Sequence, residues 1–227
     1  MKIAWHDRSR VSTSNTGSMP SIGWSNVTWS PSDQGPWSVD AKGLLHLGVD
    51  KETKAAGQLL SSRPFKYGSF EVEARLPRGR WLHPSFRLVP ETGVAPEVTV
   101  FEGFSNCKGN YFDFLPLNPL SWWAVKSNFW TARGGGRRQF GYRQHWLLCH
   151  DPAEHYTKYK LLWTKTDLTI CYDGWGVRRT ESKTLLNQLS RSRMHIMIGN
   201  GIREDAKGDA GAAESDFVIK SFSYQPL

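Results

Sequence analysis

Two glutamates lie close together in an apolar, β-branched stretch of the sequence, at Glu97 and Glu102, with Thr99 between them. Side chains alternate between the two faces of a strand, so a regular strand points residues five apart to opposite faces. One extra residue, at Val100 or Phe101, forms a β-bulge that brings Glu97, Thr99 and Glu102 to one face. Two carboxyls roughly 5–5.5 Å apart can cleave a glycosidic bond with retention of configuration, one as nucleophile and the other as proton donor.

The elements that must position these residues are short strands. From Trp37 onward, short apolar runs recur with Gly, Pro, Asp and Asn between them, a pattern typical of an all-β sandwich. Only residues 183–190 show helical periodicity, so we expect little helix. Residues 104–146 lack clean alternation, and we expect them to form a long irregular segment that contributes to the site. The alternative for both glutamates is an ordinary position on the solvent-facing side of an antiparallel strand.

Longer motifs resemble those of glycoside hydrolase family 16, which includes laminarinases, lichenases, agarases and carrageenases. The sequence EVTVFE at 97–102 resembles the family's bulged strand E-x-D-x-x-E, and HPSFRLVP at 83–90 resembles its W-P-A-F-W-L-x-P strand. FKYGSFEVEARLPRG precedes them, and HYTKYKLLWTKTDLTICYDG, RMHIMIGNGI and SFSYQ follow in the family's order. The resemblance spans residues 40–225. It implies a single domain over 1–227, a jelly-roll β-sandwich of two curved antiparallel sheets with a concave substrate cleft.

The resemblance also implies roles for the glutamates in a retaining endo-glycosidase. Glu97 is then the nucleophile and Glu102 the acid and base, which requires a raised pKa for Glu102 and an ionised Glu97. The implied substrate is a β-1,3- or mixed-linked glucan, or a β-linked galactan, sulfated or not. The expected sugar contacts are Trp81, His83, Arg87, Trp122, Asn128 and Trp130.

The sequence departs from the family pattern at three of the expected site residues. Thr99 replaces the motif aspartate, while His83 and Arg87 replace two tryptophans. A threonine hydroxyl can hydrogen-bond the nucleophile but brings no charge. The alternative function is therefore a catalytically impaired carbohydrate-binding protein on the same fold. Arg87 and the nearby Arg80 favour a sulfated substrate.

Composition limits the classes of partner. The 227 residues include 11 tryptophans, and the formal net charge of +8 implies attraction to polyanions. No RRM, helix-turn-helix or zinc-finger spacing is present, and an anionic polysaccharide fits as well as a nucleic acid. The sequence shows no metal-ligand or cofactor motif, and Ile219 stands where the family carries a calcium-binding aspartate, with Asp216 out of register. We expect a monomer without a metal or cofactor.

The amino-terminal segment is expected to be peripheral. Residues 1–23 are polar and rich in Ser, Thr and Gly, which predicts an arm that is ordered only by docking. This segment has no apolar signal-peptide core, and no window approaches the roughly 18 apolar residues of a membrane span. We expect a soluble protein that acts outside the cell after loss of a leader or release by lysis. The three cysteines form no C-x-x-C pair, which argues against a disulfide scaffold.

Overall fold

The computed structural model describes residues 27–31, 35–50, 53, 55–78, 82–103, 124–202 and 216–227, without the side chain of residue 143. These residues form two seven-stranded antiparallel sheets, ordered β1-β4-β13-β6-β7-β8-β9 and β12-β11-β10-β5-β14-β3-β2. The bounds of the first sheet are β1 Trp29–Pro31, β4 Gln58–Ser61, β6 Ser85–Pro90, β7 Glu97–Gly103, β8 Ala124–Arg133, β9 Gly136–Leu147 and β13 Met194–Gly199. Those of the second are β2 Trp37–Val39, β3 Leu45–Leu47, β5 Gly68–Arg75, β10 Thr157–Trp163, β11 Leu168–Tyr172, β12 Trp175–Thr180 and β14 Phe217–Gln225.

The two sheets bury one hydrophobic core between them. In β10 and β11 the buried residues alternate with partly exposed ones, which is the pattern of strands with one face on a core. Aromatic rings dominate the contact between the layers: the ring centroids of Phe101 on β7 and Tyr159 on β10 are 4.0 Å apart. The prediction of an all-β jelly-roll sandwich with little helix is confirmed.

Strand β7 carries the expected bulge. Its register with β6 pairs Phe86 with Phe101 and Arg87 with Thr99, so Val100 is the extra residue. A bulge leaves a backbone group without its ladder partner. The hydroxyl of Tyr172, on β11 of the opposite sheet, donates to the carbonyl oxygen of Val100 at 2.8 Å and satisfies it. The prediction of a bulge at Val100 or Phe101 is therefore confirmed, with Val100 as the inserted residue.

Strands β8 and β9 correct the expectation of a long irregular segment over 104–146. Within the described residues of that range, the chain forms two strands of 10 and 12 residues, longer than any other described strand. The GGG run makes the turn between them: Arg133 pairs with Gly136, while Gly134 and Gly135 have φ of +57° and +77°. Two successive positive φ values suit a tight hairpin and favour glycine.

A second irregularity lies between these two strands. Ser127 pairs with Gln144 and Phe129 with Phe140, so residues 141–143 of β9 lie opposite residue 128 of β8. Arg178 of β12 reaches across from the other sheet and donates to the carbonyl oxygens of Ser127 at 2.7 Å and Tyr142 at 2.9 Å. One hairpin, β11–β12, thus supplies hydrogen bonds to the irregular positions of both β7 and β8–β9.

The helix α1, Lys183–Arg191, lies where helical periodicity predicts it. Ser182 caps its amino terminus, and Leu185, Leu186 and Leu189 are buried. The side-chain amide of Gln188 bonds both backbone groups of Ala132, which fixes the helix to the end of β8. No helix in the described part of the chain is long and apolar enough to span a membrane. The predicted arm, residues 1–23, lies outside the described residues.

Candidate active site

The outward face of β6, β7 and β8 carries a set of charged and polar side chains. Cross-strand pairing places Arg87 and Asn128 beside Thr99, Lys126 beside Glu102 and Trp130 beside Glu97. Residues paired directly across a sheet share a face, so these side chains meet on the side away from the core. We call the following set the polar cluster: His83, Arg87, Glu97, Thr99, Glu102, Lys126 and Arg137.

Glu102 has three nitrogen neighbours in the polar cluster. Its Oε1 lies 2.8 Å from Lys126 Nζ. Its Oε2 lies 3.0 Å from Arg87 Nη2 and 3.1 Å from His83 Nε2. Since Glu102 is almost wholly buried, these groups replace water as its hydrogen-bond partners. The carboxylate is therefore held in place at both oxygens.

Glu97 is more deeply buried, with 1% of its surface exposed. Thr99 Oγ1 donates to its Oε1 at 2.9 Å, and Arg137 Nη1 lies 3.1 Å from its Oε2. Arg87 Nη1 is 3.6 Å from Oε1, so the guanidinium of Arg87 bridges Glu97 and Glu102. Thr99 thus makes the hydrogen bond to the candidate nucleophile that its position in the motif predicts.

The surroundings of Glu102 favour its ionised form. Burial opposes ionisation, but the contacts of His83, Arg87 and Lys126 outweigh burial and hold the pKa of Glu102 well below its ordinary value. Burial in turn lowers the pKa of His83, so this imidazole is neutral at neutral pH and acts on Glu102 through a hydrogen bond. The permanent positive charges in contact with Glu102 are those of Arg87 and Lys126.

The surroundings of Glu97 act in the opposite direction. Burial raises the pKa of Glu97 despite the opposing charges of Arg87 and Arg137 and the hydrogen bond from Thr99. The raised pKa expected for Glu102 is therefore not found. That expectation is wrong, because it took no account of the hydrogen bond and positive charges that His83, Arg87 and Lys126 bring to this carboxyl.

The structure describes four of the six expected sugar contacts. Asn128 is buried beside Thr99, and its Oδ1 has no hydrogen-bond partner among the described residues. Trp130 is partly buried, and the guanidinium carbon of Arg137 lies 4.3 Å from its ring centroid. His83 and Arg87 belong to the polar cluster, as described above. Trp81 and Trp122 lie outside the described residues.

Lys126 and Arg137 are the two members of the polar cluster that sequence reasoning missed. Both belong to the stretch that was expected to be irregular, where no strand register could be assigned. A signal for Arg137 was present in the RGGGRR run, because a glycine hairpin with arginines on both sides returns one of them to the face of the preceding strand. Three permanent cations, Arg87, Lys126 and Arg137, face two carboxyls in this cluster.

Comparison with solved structures finds the same fold in carbohydrate-active proteins. A mixed-linkage glucan family 16 protein from Bacteroides ovatus, in complex with a product, has a TM-score of 0.66 at 16% identity, covering 87% of this chain and 94% of that one. The Bacillus licheniformis β-glucanase has a TM-score of 0.64 at 15% identity over 89% and 93% of the two chains. β-Agarase A from Zobellia galactanivorans has a TM-score of 0.62 at 14% identity, covering 88% of this chain and 83% of that one. Likeness at such identities shows the fold.

Comparison of the whole sequence with family models supplies the assignment. Curated protein sequences give no match. Among the described residues, no group of three His, Cys, Asp or Glu side chains is placed to hold a metal ion. The model of glycosyl hydrolases family 16 matches residues 24–218, which confirms the resemblance read from the motifs. The chain therefore belongs to family 16 of the glycosyl hydrolases.

Proposed function

We propose that this protein is an endo-acting hydrolase of a β-linked polysaccharide that works by double displacement. Glu97 attacks the anomeric carbon, and Glu102 gives a proton to the leaving oxygen and later takes one from water. The observation that carries the proposal is the bulge at Val100, which places both carboxyls on one face of β7 with Arg87 bridging them. Membership of a hydrolase family supports it further.

The charge of the site favours a substrate that carries anionic groups. The permanent cations of the polar cluster outnumber its two carboxyls, so the face that would meet the sugar has excess positive charge. A sulfate or carboxylate on the glycan can approach these groups where a neutral glucan gains only hydrogen bonds. Within the substrates that the family resemblance implies, a sulfated β-galactan therefore fits this site better than a β-1,3- or mixed-linked glucan.

A second candidate function is binding of the same glycan without efficient turnover. It is favoured by the protonation states of the two carboxyls, since the ionised Glu102 has no proton for the leaving oxygen and the buried Glu97 resists ionisation. The fraction of molecules with Glu102 protonated at neutral pH is then small. In this reading the polar cluster is a binding surface for the glycan.

A substrate panel tests both candidates. The protein is incubated with β-1,3-glucan, mixed-linked glucan, agarose and sulfated galactans, and new reducing ends are measured across a range of pH. We expect cleavage of a sulfated galactan, with the β-anomer as the first product by proton NMR. Formation of the α-anomer would contradict double displacement. Binding of a glycan by calorimetry with no reducing ends at any pH would establish the second candidate.

A further inference from the structure

The cations of the polar cluster are not shared equally between the two glutamates. Arg87 lies within 3.6 Å of both carboxyls. Arg137 contacts Glu97, and Lys126 contacts Glu102 at 2.8 Å. The Lys126–Glu102 contact is the shortest ion pair of the cluster, and both side chains are almost wholly buried. Its effect on Glu102 is therefore little reduced by solvent.

We propose that Lys126 is a positioning residue that keeps Glu102 in its ionised form and so limits the rate of hydrolysis. This inference rests on the proposed role of Glu102 as proton donor. Lys126 lies on β8, and β8 pairs with β7 so that Lys126 is directly opposite Glu102. The register of the sheet, and not a chance contact of long side chains, thus places the ammonium group on the carboxylate.

His83 and Arg87 also stabilise the ionised Glu102, but Lys126 is the neighbour whose charge can be removed with least effect on Glu97. His83 is neutral at neutral pH, as argued above, and provides a hydrogen bond. Arg87 also stabilises the ionised form of Glu97, which must be ionised to attack the sugar. Replacement of Arg87 would therefore disturb Glu97 as well as Glu102. Replacement of Lys126 should act mainly on Glu102, the carboxylate that it contacts. In the part of the chain that the structure describes, five charged or titratable groups face Glu102. They are His83 from the segment before β6, Arg87 from β6, Glu97 from β7, Lys126 from β8 and Tyr172 from β11.

The expected consequence follows from the protonation equilibrium. At a pH above the pKa of Glu102, the fraction of molecules with Glu102 protonated rises tenfold for each unit by which that pKa rises. Removal of an adjacent opposite charge shifts a carboxyl pKa by about one to three units. Replacement of Lys126 by an uncharged side chain of similar length should therefore raise the rate of hydrolysis at neutral pH by about tenfold or more.

Three variants separate charge from shape. Lys126→Met keeps the length of the side chain and removes its charge. Lys126→Arg keeps the charge, so its rate of hydrolysis at neutral pH should stay close to that of the wild type. Lys220→Met removes a lysine–glutamate contact of similar length, 2.7 Å to Glu73 on the second sheet, and should change nothing. Turnover is measured from pH 4 to 9 on the substrate that the panel identifies, and thermal melting confirms that each variant is folded.

A direct titration makes the test independent of turnover. The carboxyl carbon of Glu102 is followed by 13C NMR in protein labelled at glutamate, and its signal is assigned by its absence in Glu102→Gln. We expect the midpoint of Glu102 to rise in Lys126→Met and to stay low in Lys126→Arg. An unchanged midpoint in folded Lys126→Met overturns the inference, even if the protein hydrolyses its substrate. A raised midpoint with no hydrolysis in any variant upholds the action of Lys126 on Glu102 and contradicts the proposed function.

Discussion

At the scale of single residues, the two glutamates could be located from spacing, but their charge states could not. The apolar strand and the bulge follow from the local sequence, because an inserted residue is the simplest way to bring residues five apart to one face. The pKa directions depend on burial and, for Glu102, on neighbours that include Lys126, which lies 24 residues away in the chain. A three-dimensional contact of this kind has no signature in the local sequence.

Glu97→Gln and Glu102→Gln should each abolish hydrolysis, because the first removes the proposed nucleophile and the second removes the proposed proton donor. Reducing-end release on the preferred glycan measures the loss. Both variants keep the volume of the side chain, and far-ultraviolet circular dichroism should show an unchanged sandwich. Glu97→Gln that retains a substantial part of the activity of the wild type would exclude Glu97 as nucleophile.

Thr99→Val should weaken the nucleophile while keeping its shape. The hydroxyl of Thr99 donates to Glu97 at 2.9 Å, and loss of a buried hydrogen bond to a charged group costs about 1.5–3 kcal/mol. The hydrogen bond stabilises the ionised form, so its loss raises the pKa of Glu97 further. The fall in kcat/KM should then appear at pH values below that pKa and be small well above it.

A threonine outside the polar cluster provides the control for this prediction. Thr157 is fully buried, and its hydroxyl hydrogen-bonds His150 at 2.8 Å. Thr157→Val should lower stability in urea unfolding without changing the shape of the pH profile. If the two valine variants alter the pH profile equally, the effect of Thr99 is general and the hydrogen bond to Glu97 does not tune catalysis.

At the scale of elements, most strands could be predicted, and the misses have a physical cause. Strands with one face on the core show alternation, as β10 and β11 do. In β8 the outward face carries Lys126, Asn128 and Trp130, while Ser127 and Thr131 stand on the inward side, so apolar and polar residues do not alternate. A strand that builds a buried polar site therefore loses the pattern by which strands are recognised.

Tyr172→Phe should destabilise the bulge of β7. The hydroxyl of Tyr172 satisfies the carbonyl of Val100 at 2.8 Å, and its removal leaves that buried oxygen without a partner. The expected cost is about 1–3 kcal/mol in the free energy of unfolding, with a fall in kcat as the carboxyls lose their arrangement. Urea unfolding and reducing-end assays measure the two effects.

The matched control is Tyr224→Phe. Its hydroxyl also donates to a backbone carbonyl, that of Tyr67 at 3.2 Å, at a position away from β7. We expect a smaller loss of stability and no change in kcat. A fall in kcat for Tyr224→Phe as large as that for Tyr172→Phe would show that general destabilisation, and not the bulge, controls activity.

At the scale of the whole molecule, the net charge of +8 and the excess of cations in the polar cluster act in the same direction. Both favour anionic groups such as those of the proposed sulfated glycan, and the long-range part of that attraction is screened over a Debye length of about 10 Å at 0.1 M salt. Fold class and family could be predicted at this scale, since motifs in a fixed order are spread over most of the chain.

Affinity for a sulfated galactan should therefore fall as the salt concentration rises, whereas affinity for a neutral β-glucan should change little. Isothermal calorimetry at 0.05 and 0.5 M sodium chloride measures both. Desulfated galactan of the same length serves as the matched ligand. Equal salt dependence for the sulfated and desulfated polymers would exclude recognition of the anionic groups.

The hydrogen bonds from the β11–β12 hairpin also have a kinetic consequence. Tyr172 and Val100 are 72 residues apart, and Arg178 and Ser127 are 51 apart. Contacts between distant segments form late, because the chain must close a long loop before it gains from them. During synthesis, β7 leaves the ribosome well before the residues that fix its bulge. In refolding from urea, formation of the core, followed by tryptophan fluorescence, should therefore precede recovery of hydrolysis. The molecule then passes through a collapsed stage in which the two sheets are packed together and the carboxyls are not yet correctly placed.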